Sequence, residues 1–162
     1  MTEQDIYTLL KDVMDPEIPV LSLVDLGVIT GVEVVNESKV RVEMTPTFVG
    51  CPAMDYMKQE VEDKLRSSGI PEPEVNITFR EHWSSDRITT EGRKKLKEFG
   101  LAPPPVSGGA SLIEDLDILE KVECPNCGSI NTMMKTPFGP TLCRSIHHCQ
   151  DCKETFEQFK PL

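Results

Sequence analysis

The chain has 162 residues, 38% hydrophobic and 27% charged, with a net charge of −10. That acidity removes the positive field on which phosphate-backbone binding depends, so nucleic acid is disfavoured as a partner. No apolar run approaches the roughly 18 residues of a membrane span, and the acidic N-terminus lacks a signal-peptide core, so the expectation is a cytoplasmic protein with no membrane partner.

Thr2 to Met14 presents Ile6, Leu9, Leu10 and Val13 at helical spacing, with Thr2 placed as the N-cap. Asp15-Pro16-Glu17-Ile18-Pro19 breaks that helix, because neither proline continues one comfortably. Val28 to Val35 reads as a strand, Asn36-Glu37-Ser38 as a turn, and Val40 to Met44 as its antiparallel return. Ala53 to Ser68 returns to helical spacing through Met54, Met57, Val61 and Leu65, and Gly69 follows as a C-cap. Val75, Ile77 and Phe79 predict a third strand, and Thr90 to Phe99 a helix ending at Gly100. The result is a small α+β domain, residues 1–101, of order helix-strand-strand-helix-strand-helix.

Residues 102–119 read as a linker, stiff through Pro103-Pro104-Pro105 and flexible through Gly108-Gly109. The acidic run Glu114, Asp115, Asp117, Glu120 and Glu123 reads as a solvated spacer. Residues 120–162 read as a small β zinc ribbon. Within them, Cys124-Pro125-Asn126-Cys127 and Cys149-Gln150-Asp151-Cys152 are two CxxC knuckles separated by 21 residues. Such knuckles supply four soft ligands in a tetrahedron, and a tail with so few large apolar groups needs a metal to stay folded. Structural zinc is therefore expected on Cys124, Cys127, Cys149 and Cys152. His147 and His148 read as ordinary strand residues, and Cys143 has no evident task. His82 and Trp83 read as structural or partner-facing.

Cys51 stands apart from the other five cysteines, in Thr45-Pro46-Thr47-Phe48-Val49-Gly50-Cys51-Pro52, where a strand hands over to a helix. Gly50 permits a positive φ and Pro52 suits a first helical turn. A thiol near a helix N-terminus is expected to have a lowered pKa and to favour the thiolate that binds metal or attacks. The plain alternative is a small residue buried at a tight turn.

With Asp15-Pro16-Glu17, Val24-Asp25-Leu26-Gly27-Val28-Ile29 and Gly50-Cys51-Pro52, residues 1–80 resemble the domain of SufT-type iron–sulfur assembly factors. Trp83-Ser84-Ser85-Asp86, Glu91-Gly92-Arg93-Lys94-Lys95-Leu96, Gly100-Leu101-Ala102-Pro103-Pro104 and the cysteine-rich ending are similar to the PaaD family, over essentially the whole chain. That resemblance implies a non-catalytic accessory or maturation component of a multicomponent monooxygenase that epoxidises the ring of phenylacetyl-CoA. Its partners would be the oxygenase and reductase subunits, and a homodimer is left open. Carried over by position, Cys51 is the transient ligand for iron or an iron–sulfur cluster, with Asp15 and Glu17 as iron-facing or supporting carboxylates. The competing reading is a thiol-dependent enzyme with Cys51 as nucleophile or redox group.

Overall fold

The structure, a computed structural model, describes residues 1–106 and 121–161. Gly108-Gly109 of the linker and Glu114 to Glu120 of the acidic run lie outside the described residues. The chain forms two compact units, residues 1–83 with 87–92, and residues 84–86 with 93–162. Among the described residues, no helix is long and apolar enough to cross a membrane.

The first unit opens with helix α1 (Glu3–Leu10), held at its start by a capping box. The Thr2 hydroxyl accepts from the Asp5 N–H, and the Asp5 carboxylate accepts from the Thr2 N–H. Ile6 and Leu10 are its buried face. The helix stops short of the expected Met14, because Met14 is drawn into an antiparallel bridge with Ser22 and needs extended backbone there.

Strands β1 (Ile29–Val34) and β2 (Lys39–Met44) pair antiparallel, as the alternation predicted. Strand β3 (Glu72–Ile77) then pairs parallel to β2, from Lys39 opposite Glu72 to Met44 opposite Ile77. A parallel neighbour requires a crossover, and helix α2 (Met54–Ser67) provides it. Its buried Met54, Met57, Val61 and Leu65 are the four residues that the spacing picked out. They join Val40, Val42, Met44 and Val75 in one core, each such side chain contributing about 1.5–3 kcal/mol on burial. Phe79, expected in β3, lies beyond its end and is 58% exposed.

The opposite sheet face is a charge ladder. Arg41 pairs with Glu33 and Glu74, and Lys39 also pairs with Glu74. Lys39, Asn76 and Arg41 hold the Glu74 carboxyl down to about 2. These groups are solvated, so the ladder sets register more than stability.

The second unit contains most of helix α3 (Thr90–Phe99), with Leu96 fully buried, and a four-stranded sheet. Its strands are β4 (Leu101–Ala102), β5 (Thr132–Thr136), β6 (Arg144–Cys149) and β7 (Thr155–Phe159), in the order β4-β7-β6-β5. β5, β6 and β7 form an antiparallel meander, and β4 adds parallel to β7. Leu101 and Ala102, which sequence placed at a domain end and a linker start, thus belong to the ribbon's sheet. Fully buried Ala102 packs with Val122, Cys124, Cys149 and Phe156. The mixed α+β class and the small β ribbon both agree with the sequence reading.

Candidate functional site

Two places bring cysteines together with chemistry. In the second unit, the ligand atoms of Cys124, Cys127, Cys149 and Cys152 all lie within 4.8 Å of one another. The Cys124–Cys152 sulfurs are 3.7 Å apart and the Cys127–Cys149 sulfurs 3.6 Å. A tetrahedron with metal–sulfur bonds of about 2.3 Å has edges of about 3.8 Å, so the cluster has the dimensions of a four-thiolate metal site.

The two knuckles are built alike. Cys124 donates its N–H to Ser129 and receives one from Gly128; Cys149 does the same with Glu154 and Lys153. The residue after each second cysteine is left-handed, Gly128 at φ 76° and Lys153 at φ 66°. This turn frees main-chain N–H groups to aim at sulfur. The Cys152 and Asp151 N–H groups point at the Cys149 sulfur and, with two neighbouring thiols, hold it down to about 7 despite burial. At Cys127 the Ser129 N–H pulls down, but desolvation and three neighbouring cysteines carry the thiol up to about 12. Four sulfurs crowded this closely cannot all ionise without a cation among them. Donor chemistry and spacing therefore fit a bound metal.

Cys143 and the histidines stand outside this cluster. Cys143 is buried at the start of β6, with its sulfur 3.0 Å from the Thr141 hydroxyl. His147 is a buried strand residue stacked on Phe156, its Nε2 2.9 Å from the Ser145 hydroxyl. We expect Cys143→Ala to leave the metal content per chain unchanged and to cost about 1 kcal/mol, the usual effect of trimming a buried side chain. Metal analysis with a denaturant midpoint checks both.

In the first unit, Cys51 lies in the loop between β2 and α2, at the carboxyl end of the parallel pair β2 and β3. Open sheets with parallel strands place ligands at such ends. Gly50 adopts φ 83°, as anticipated. Pro52, however, precedes the N-cap Ala53 instead of entering the helix.

The expectation of a lowered thiol pKa at Cys51 is overturned. Burial pushes it up, the Ala53 N–H draws it back, the Glu17 and Asp15 charges push it up again, and the Thr47 hydroxyl opposes them. The net direction is upward. The Asp15 and Glu17 charges thus act on the Cys51 thiol across more than thirty residues of sequence.

Asp15 also has a turn role: its Oδ1 accepts from the N–H groups of Glu17 and Ile18, both at 2.8 Å. Sequence reasoning missed Thr47 as a partner of Cys51, although both belong to one loop. Trp83 is buried, its indole N–H donating to the Leu26 carbonyl at 3.0 Å, while His82 is exposed.

The family model for an iron-sulfur cluster assembly protein matches residues 3–78, and that for the PaaD zinc beta ribbon domain matches residues 113–160. Over 156 residues the chain is 34% identical to an Escherichia coli protein named as one subunit of a "Putative 1,2-phenylacetyl-CoA epoxidase", covering 96% of this chain and 91% of that one. The chain belongs to the PaaD family.

Its first part has relatives of its own. An Fe-S protein maturation auxiliary factor of Porphyromonas gingivalis is 38% identical over 96 residues, 59% of this chain and 90% of the relative. The crystal structure of a domain of unknown function from Bacillus anthracis superposes with a TM-score of 0.53 at 30% identity, covering 58% of this chain and 90% of that one. A PaaD-family chain thus joins an assembly-type domain to a cysteine ribbon.

Proposed function

We propose that this protein is a cytoplasmic, non-catalytic maturation component of a phenylacetyl-CoA ring-epoxidising monooxygenase, aiding assembly of its iron–sulfur or di-iron centre. The observation that carries this reading is that the Asp15 and Glu17 charges act on the Cys51 thiol, in the loop that follows β2. A thiol held protonated by burial and two carboxylates makes a poor resting nucleophile, which weighs against the thiol-enzyme alternative. For a cation the same electrostatics invert: two negative groups and a soft sulfur attract it, and its charge favours release of the thiol proton. Iron or a cluster is then the cargo, held transiently by Cys51 with the carboxylates alongside. Relatives named as Fe-S maturation auxiliary factors support the assembly role, and the Escherichia coli relative supports the epoxidase setting.

In the ribbon, Cys124, Cys127, Cys149 and Cys152 would hold zinc, a metal without redox chemistry whose part is to fold the unit. The partners are the oxygenase and reductase subunits of the epoxidase.

The test is coexpression of those subunits with and without this chain. Iron content and phenylacetyl-CoA epoxidation should both fall when it is absent. Full iron loading and full turnover without it would remove the maturation role.

A further inference from the structure

The two knuckles of the ribbon also meet away from sulfur. Antiparallel pairing sets Thr132 of β5 opposite Cys149 of β6. Asn131, just before β5, therefore faces Gln150, just after β6, and the Gln150 N–H donates to the Asn131 carbonyl at 2.9 Å. Asp151 follows, between the two cysteines of the second knuckle. Its carboxylate reaches back to the first knuckle with both oxygens. Oδ2 accepts from the Ser129 hydroxyl at 2.5 Å, and Oδ1 accepts from the Asn131 side-chain amide at 2.9 Å. The Ser129 hydroxyl in turn accepts from the Asn131 N–H at 3.0 Å, and the Ser129 carbonyl accepts from the Cys124 N–H at 2.9 Å. Asp151 is an exposed residue, yet the facing knuckle engages both of its oxygens.

Ser129 and Asp151 stand beside sulfur through their main chains. The Ser129 N–H donates to Cys127, and the Asp151 N–H donates to Cys149. Those two sulfurs are 3.6 Å apart. The four residues thus close a ring, joined hydroxyl to carboxylate on one side and sulfur to sulfur on the other. Cys127 is the exposed cysteine of the cluster, while Cys124 and Cys149 are buried. Packing fixes the buried pair, so Cys127 depends most on hydrogen bonds for its position.

We propose that Ser129, Asn131 and Asp151 form a clasp that fixes the distance between the two knuckles, with Ser129 and Asp151 as positioning residues for the metal-binding sulfurs of Cys127 and Cys149. The clasp rests on the reading of the four cysteines as a metal site. Hydrogen-bonded groups behind metal ligands hold them in the geometry the ion requires, and losing one typically weakens binding by about 10- to 100-fold.

The test uses the full chain. Zinc affinity is read by competition with a chelating dye, and site geometry by the d–d absorption of the Co(II)-substituted protein. Asp151→Ala should weaken zinc binding by about tenfold and shift the Co(II) bands. Ser129→Ala should act in the same direction on both readouts. It removes no charge, which separates the clasp from a long-range effect of the carboxylate. The double variant should bind no more weakly than Asp151→Ala alone, because the two substitutions remove one shared contact. Ser129→Thr keeps the hydroxyl and should match the wild type. Cys143→Ala, a buried residue trimmed elsewhere in the ribbon, should leave the Co(II) bands in place. Asn131→Ala removes a single arm and should weaken binding by about threefold, so it serves if the stronger variants misfold.

Folded variants with wild-type affinity and bands would overturn the clasp. So would additive losses in the double variant. Weaker binding with unmoved bands would also overturn it, since these residues would then support the hairpin alone. A wild-type chain that takes up neither zinc nor Co(II) would remove the metal site, and the clasp with it.

Discussion

Cys149→Ser is expected to unfold the ribbon and leave the first unit folded. Cys149 is fully buried, its sulfur faces Cys127 at 3.6 Å, and it packs in the small cluster with Ala102, Val122, Cys124 and Phe156. Structural zinc contributes about 10–16 kcal/mol in small zinc-binding peptides, comparable to or above the roughly 5–15 kcal/mol that holds a typical domain. A cluster of one alanine, one valine, two cysteines and one phenylalanine cannot replace that. Metal analysis of wild-type protein purified without added metal should give zinc near one equivalent, falling close to zero in the variant. Limited proteolysis should then cut from the ribbon back to β4, since Leu101 and Ala102 lose the strand they pair with. The first unit, with its own core under α1 and α2, should resist. Iron with visible charge-transfer absorption in place of zinc would overturn the assignment.

Cys51→Ser should have a small effect on folding and a large one on function. Serine keeps the size and the loop geometry, and Cys51 is only half-buried, so the cost to stability should be about 1 kcal/mol or less. What disappears is the soft thiol on which the proposed transfer role depends. Coexpressed with the epoxidase subunits, the variant should yield a complex that assembles with under-loaded iron or cluster and turns over slowly. Iron content and epoxidation must be measured together, because their combination discriminates. Full iron with normal epoxidation returns Cys51 to a packing residue. Full iron with slow epoxidation replaces cargo transfer with a docking or coupling role.

Local physics made much of this fold readable. Thr2 with Asp5 forms the capping box, Gly69 and Gly100 take φ of 92° and 91° after their helices, and Met54, Met57, Val61 and Leu65 recur at helical spacing. Each of these signals is written within a few residues. The ribbon was legible for the same reason, since CxxC spacing encodes ligand geometry directly. What escaped was non-local. Asp15 and Glu17 act on Cys51 from more than thirty residues away in sequence, so the upward push on the thiol was invisible from the helix start beside it. The bridge between Met14 and Ser22 shortens α1 against its own periodicity. β4 is two residues long, and its partner in β7 lies more than fifty residues downstream, beyond the reach of any pattern.

That short strand has a consequence for dissection of the molecule. The PaaD zinc beta ribbon match begins at residue 113, twelve residues after β4 starts. A fragment cut at that boundary keeps all four clustered cysteines but strips β4 from β7, leaving main-chain groups at Glu157 and Gln158 unpaired along an open margin. Such a margin templates the addition of another strand, and β7 carries Phe156 and Phe159 with which to hold one. The excised ribbon should therefore load its metal and then self-associate, whereas a fragment that begins before Leu101 should stay monomeric. Two residues upstream of the motif would then be its guard against aggregation.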